Sequence, residues 1–385
     1  MKIIKGYKTE LDPTSDQRAL FYRYAGAARY AYNYGLTRKN EAYAKGEKYP
    51  AAIDLQKELT IRKHNDLPWL NDVSKWVVQN ALRNLDDAFK RFFKKCKLKK
   101  LGQWKGKCGY PKFKSKKKGI GGFRLDCPIH VYEKAVQLPK IGTVKLKEGK
   151  KKDGTSYIPT SGVKVLNVTV SEQAGRWFVS VQVEEEVTNP AQATGQIIGV
   201  DLGIKTLATC SDGRSIENPK ALRKNLKKLK RLGRSHSRKV KGGKNRKKAT
   251  RKLARMHARI ANIRKDALHK ATSSLIAKTK PENERPSAIV IENLNVSGML
   301  KNRKLSRAIA DVGMYEFRRQ LEYKSKQAGS VINVVSRWYP SSKTCSGCGW
   351  IDQNQTLNDR MFICQECGLV IGRDLNAALN LAASA

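Results

Sequence analysis

Two short β-branched runs, Ile197-Ile198-Gly199-Val200 and Ala288-Ile289-Val290-Ile291, constrain this chain more than any other feature, because each ends on a single carboxylate, Asp201 and Glu292. Both read as buried-type strands. After the first, Leu202-Gly203 lets the backbone turn, and residues 204–209 read as the return strand of a hairpin closed by Ser211-Asp212-Gly213. A lone acid at a strand end ordinarily points into water, but an unpaired carboxylate within so apolar a segment is costly to bury without a cation. Asp201 is therefore a candidate metal ligand. A third acid, Asp374, opens the C-terminal helix that reads Arg373-Asp374-Leu375-Asn376-Ala377-Ala378-Leu379-Asn380-Leu381.

The cysteines divide into two kinds. Cys96, Cys108, Cys127 and Cys210 are scattered and are most simply reduced thiols. Cys345-x-x-Cys348 and Cys364-x-x-Cys367 are paired, with fifteen residues between the pairs, the spacing of a four-cysteine zinc site. Gly347, Gly349 and Gly368 assist the two tight turns. Four thiolates leave no open position, so one Zn²⁺ there is structural, holding together a ribbon too small for its own core.

Charge points to the partner. Lys and Arg number 78 against 33 Asp and Glu, a formal net charge of +45 in 385 residues. Such self-repulsion works against compactness unless a polyanion binds, and the length allows two or three domains. A membrane surface is the weaker alternative, because no apolar run approaches about 18 residues. The first residues, Met1-Lys2-Ile3-Ile4-Lys5-Gly6-Tyr7, lack a signal-peptide core, so a cytoplasmic, nucleoid-associated protein is expected.

Along the chain, residues 2–11 read as a strand stopped by Asp12-Pro13-Thr14, and Thr14 or Ser15 can cap a helix over 17–43. A short helix over 53–63 precedes a third over 74–93. Its buried stripe is Val78, Leu82, Leu85, Phe89 and Phe92, and Lys75 and Gln79 project together from another face. Basic runs at 94–100 and 112–118 flank Trp104, Tyr110 and Phe113. A nucleic-acid groove uses charge for phosphate and rings for bases, which makes Trp104, Tyr110, Phe113, Lys114 and Lys116 candidate contacts. From 122 to 187 the pattern changes to period two. Strands at 123–125, 135–138, 143–146, 163–170 and 177–187 suggest, with the N-terminal strand, an antiparallel barrel interrupted early by helices. Residues 145–154 form a basic, turn-rich loop expected to be mobile, and 188–195 a linker. Between the first two acids lies a helical hairpin, its second helix over 246–278 and its basic connection over 233–244 flexible. The hairpin is apolar on one seam, and its outward charge has too few acids to pair with, which suits an RNA or RNA–DNA backbone. A basic loop at 301–307 could act as a lid. A helix over 311–327 and a strand over 331–335 lead into the zinc ribbon.

Asp201 in VDLGIKTLAT, Glu292 in IVIENL, Trp338-Tyr339-Pro340-Ser341-Ser342-Lys343-Thr344-Cys345 and Arg373-Asp374-Leu-Asn-Ala-Ala together resemble the TnpB family, transposon-encoded ancestors of the Cas12 nucleases. The resemblance implies an RNA-guided DNA endonuclease with a RuvC-type, RNase H-like domain whose catalytic acids are Asp201, Glu292 and Asp374. Such a fold gathers two strand-end acids and one helix-start acid around two Mg²⁺ ions roughly 3.5–4 Å apart, one activating a water and one stabilising the departing oxygen. The implied architecture is α+β and multidomain. A wedge barrel (residues 1–13 and 111–190) carries an inserted helical recognition lobe (14–110), and a RuvC-like domain (191–339 and 370–385) carries an inserted zinc ribbon (340–369). Lys75 and Gln79 resemble the pair that reads a short transposon-adjacent motif on duplex DNA. A noncoding guide RNA and double-stranded target DNA are the implied partners, with base pairing reading most of the target. Where many relatives carry an additional Asp two residues before the last acid, this chain has Gly372. A protein-only transposase-associated nuclease and a compact Cas12-type effector would use the same acids. An RNA-guided DNA-binding repressor would not need them, and all three are present.

Overall fold

The computed structural model describes residues 2–150, 154–356 and 359–385, with only the backbone of Lys118. Part of the basic loop expected at 145–154 therefore lies outside the described residues. The chain divides into two compact units, 1–188 and 189–385.

In the first unit, β1 (Lys2–Asp12) is followed by three helices, α1 (Ser15–Ala44), α2 (Ala52–His64) and α3 (Lys75–Lys100). Then come β2 (Gly122–Leu125), β3 (Val131–Tyr132), β4 (Ala135–Leu138), β5 (Gly142–Leu146), β6 (Val163–Gln173) and β7 (Arg176–Glu186). These strands form one seven-stranded antiparallel sheet in the order β2-β6-β7-β1-β5-β4-β3. The barrel expected from the sequence is thus met as a sheet with β2 and β3 at its ends. Thr14 and Gln17 close a reciprocal capping box at the start of α1, satisfying two donors of its first turn. Phe21 and Tyr24 of α1 seat the helices on the sheet, 5.0 Å from Trp177 and 4.9 Å from Phe123 between ring centroids. α3 runs two turns beyond its expected end, because the stretch 94–100 is, Cys96 apart, lysine and leucine, good helix formers, with no glycine before Gly102.

The second unit opens with β8 (Ile198–Leu202), β9 (Thr206–Cys210) and β10 (Ser215–Glu217), an antiparallel meander whose third strand the sequence did not suggest. The hairpin α4 (Ala221–Ser237) and α5 (Lys244–Ile276) leads to β11 (Ala288–Glu292). α4 continues through Gly233, so the connection expected to be flexible from 233 is helical as far as 237. After β11 come α6 (Val296–Met299), α7 (Ser306–Val312), α8 (Met314–Ala328) and β12 (Val331–Val335). The helix expected over 311–327 is broken at Gly313, whose φ of 79° ends α7 before α8 begins. The sheet order is β10-β9-β8-β11-β12, with β8, β11 and β12 parallel. Leu268, Leu275, Phe317 and Leu321 from α5 and α8 pack with Val200, Ile289 and Ile291 in its core. β13 (Met361–Ile363) and β14 (Val370–Gly372) form a small hairpin, and α9 (Arg373–Ala383) ends the chain. Among the described residues, no helix is long and apolar enough to cross a membrane.

Candidate functional site

β8 and β11 pair in parallel, with Val200 opposite Ile291. Asp201 and Glu292, the next residue on each strand, therefore emerge side by side. Asp374 arrives from the first turn of α9. That helix lies against β8 at Gly199, where a Cβ would fall 2.0 Å from the Ala378 carbonyl oxygen and 2.5 Å from the Ala382 nitrogen. Only glycine permits this approach.

The structure thus brings all three acids to one cleft of about 700 Å³, whose walls also carry Lys205, Lys220, Arg223, Arg360 and Arg373. Asp201 keeps part of its surface open to the cleft but is densely surrounded. Burial, then the charges of Glu292 and Asp374, push its carboxyl up to about 7, against the pull of Arg373. Arg373 is nearly buried and sits 3.2 Å from Asp374. Glu292 is held from its other side by Ser341, whose hydroxyl donates to Oε1.

Ser341 belongs to the strap 338–345, which ties the acids to the cysteine ribbon. Asn380 Nδ2 donates to the Ser341 and Thr344 carbonyls at 2.8 and 2.6 Å. Asn376 Nδ2 donates to the Thr344 carbonyl at 2.6 Å, and its Oδ1 accepts from the Ser346 amide at 2.9 Å. Beyond the strap, the sulfurs of Cys345, Cys348, Cys364 and Cys367 all lie within 4.8 Å of one another, compatible with a zinc site. The amides of Gly347 and Cys367 donate to the Cys345 and Cys364 sulfurs. Among the described residues these four are the one group of three or more His, Cys, Asp or Glu ligands found gathered so tightly.

The other expected contacts lie in the first unit. Lys75 opens α3 and Gln79 follows one turn later, Lys75 exposed with its ammonium 5.7 Å from the Trp76 ring centroid and Gln79 half-buried. Trp104 folds back under Lys95, whose ammonium is 5.2 Å from its ring centroid. Tyr110 packs edge-on against Phe89 and Phe92 and donates to Asn40 Oδ1 at 2.6 Å. Lys114 sits with its ammonium 3.8 Å from the Tyr32 ring centroid, an internal cation–π contact. Phe113 and Lys116 are exposed.

Sequence reasoning missed Gly199, Asn376 and Asn380. A glycine in a strand reads as a weakness, and its need here arises from a helix 180 residues later. The two asparagines did leave a signal, since they stand four apart in a helix, where asparagine is a poor former.

Family models match most of this chain. One described as a probable transposase covers residues 165–303, one described as a Cas12f1-like TNB domain covers 315–381, and a helix-turn-helix domain model covers 1–48. A Streptomyces pristinaespiralis protein, named provisionally as an RNA-guided DNA endonuclease, is 37% identical over 100% of this chain and 90% of its own length. InsQ of Escherichia coli K12, provisionally named in the same way, is 34% identical over 100% of this chain and 93% of its own length. Among solved structures, a Cas12f1–sgRNA–target DNA complex contains a chain of similar fold, with a TM-score of 0.57, 15% identity and 99% of each chain covered.

Proposed function

This chain belongs to the TnpB family, and from that premise we propose that it is an RNA-guided DNA endonuclease whose hydrolytic centre is the cleft of Asp201, Glu292 and Asp374. We read residues 189–385 as the RuvC-like domain with its zinc ribbon, and the seven-stranded sheet with its three helices as the wedge and recognition lobe. A meander followed by two parallel strands is the sheet order expected of an RNase H-like domain, and that supports the first assignment.

One observation carries the proposal: three acids from distant parts of the chain line one cleft, where burial and then the charges of Glu292 and Asp374 raise the carboxyl of Asp201 to about 7. Like charges held together this way are relieved by cations, so the donor set fits divalent metal. Two Mg²⁺ ions bound there would supply a water nucleophile at neutral pH and neutralise charge on the scissile phosphate. Lys205, Lys220 and Arg223 on the walls attract the phosphodiester, and Arg373 orients Asp374. Ser341 fixes the rotamer of Glu292 and links it to the ribbon. Water adds to phosphorus and the bond to the 3′ oxygen breaks, leaving a 5′-phosphate and a 3′-hydroxyl. Lys75 and Gln79 read the short flanking motif on duplex DNA, while the guide RNA reads the rest by pairing.

The test is direct. Protein purified from its native locus is expected to carry one defined noncoding RNA, and RNase treatment to abolish cleavage. Full activity in RNA-free protein would favour a protein-only nuclease. Asp201→Ala should lower the cleavage rate by on the order of 10³-fold or more while RNA and target binding stay within about twofold. An unchanged rate would remove Asp201 from the site.

A further inference from the structure

The first unit contains a second cleft, of about 680 Å³, that the nuclease chemistry does not use. Arg23, Gly26, Arg29 and Tyr30 of α1 line one side, and Trp69 and Asp72 the other. The Trp69 ring is fixed edge-on against Tyr30, with centroids 5.3 Å apart and planes at 82°, yet Trp69 remains 41% exposed. Arg23 makes a long, exposed ion pair with Asp72 at 3.8 Å, too weak in water to commit its side chain. Arg29 donates through Nη1 to the Ile120 carbonyl at 3.3 Å, which anchors its guanidinium at the cleft edge.

Gly26 is the telling residue. A glycine in a helix interior is among the least favourable choices, and α1 contains two. Gly35 has a structural reason, because a Cβ there would meet the Leu85, Leu82 and Leu55 side chains at 2.9–3.2 Å. At Gly26 an added Cβ would meet only the tip of Arg29, at 3.9 Å. Nothing within the fold requires it to be small, whereas an occupant of the cleft would.

We propose that this cleft takes one unpaired nucleotide, its base against Trp69 and its phosphate between Arg23 and Arg29. An ordered aromatic face flanked by guanidiniums provides the stacking and charge by which unpaired bases are held. The volume lies in the range of small-ligand sites. Asp72, released from Arg23 when phosphate binds, is an acceptor for a base N–H. The ligand class rests on the nucleic-acid partnership proposed above, but the cleft shares no residue with the acids or the ribbon.

The test uses the full chain carrying Asp201→Ala, to prevent cutting, and labelled single strands of about 12 nucleotides, with bases or abasic, in DNA and RNA forms. At salt high enough to suppress phosphate-only binding, base-bearing strands should bind about tenfold more tightly than abasic ones. Gly26→Leu, which fills open space and improves the helix, should remove most of that difference without lowering the melting temperature. Trp69→Phe should keep most of it. The DNA and RNA arms then tell target from guide. Equal affinity for base-bearing and abasic strands, or full discrimination retained in Gly26→Leu, overturns the proposal. Failure of every strand to bind would take the nucleic-acid reading down as well, whereas loss of cutting through Asp201 concerns the active site alone.

Discussion

Asp201 has a pH dependence whose sign can be worked out. Its carboxyl is raised to about 7 in the folded, ion-free protein, above the ordinary aspartate value of 3.8. A raised group contributes stability that is full below its unfolded pKa and is lost as pH rises through the folded value. Ion-free protein should therefore lose stability between about pH 4 and 7 through this group. Added Mg²⁺ binds the ionised cleft and offsets the loss, so its stabilising effect grows with pH. Melting curves at pH 6 and pH 8, with and without Mg²⁺, check this. The Mg²⁺-induced rise in Tm is expected to be larger at pH 8, and Asp201→Asn should flatten the difference. An equal rise at both values in the unmodified protein would mean that the cleft does not bind Mg²⁺ through Asp201. Residues of this kind were legible in the sequence, because a carboxylate at the end of an apolar strand conflicts with its own surroundings. Ser341 was visible only as part of a motif, and its bond to Glu292 needs the tertiary fold.

At the scale of elements, the site depends on α9 lying close against β8. Gly199→Ala would put a methyl group 2.0 Å from the Ala378 carbonyl, so the helix must shift. Overpacking of this sort typically costs about 1–3 kcal/mol. The shift also moves Asp374 away from Asp201, so cleavage should fall by about 10²-fold or more although every acid is intact. A variant of normal activity would show that the register of α9 on the strand is immaterial. The ribbon makes a parallel case. Asn376→Ala would leave the Thr344 carbonyl with one fewer donor and the Ser346 amide unpaired, at a cost of about 1–3 kcal/mol. Zinc should then be lost to a chelator faster than from the unmodified protein, followed by a colorimetric chelator assay. Helices and strands themselves were largely readable, since long periodic stretches such as 17–43 and 163–187 carry their own signal. The third strand of the meander, Ser215–Glu217, was not, being three residues long and stabilised only by its partner. The break at Gly313 was hidden for a related reason: Met314, Phe317 and Leu321 keep helical spacing, and only the positive φ separates the two helices.

For the whole molecule, the net charge of +45 sets stability against salt in two opposite ways. Without nucleic acid, like charges repel across the folded chain more strongly than across the expanded one, and added salt screens that repulsion. The nucleic-acid-free protein should therefore melt at higher temperature as NaCl rises from about 0.05 to about 0.3 M. In the RNA complex the same cations are neutralised by phosphates, and the binding free energy that stabilises the fold weakens with salt through loss of counterion release. Its melting temperature should fall over that range. The two curves converge, and the separation at low salt measures how much of the fold's stability the guide supplies. Calorimetry of both forms across a salt series decides the matter. If the free protein shows no upward slope, the excess of Lys and Arg is already balanced within the fold, and the helical hairpin of α4 and α5 would no longer need a phosphate backbone to explain its charge.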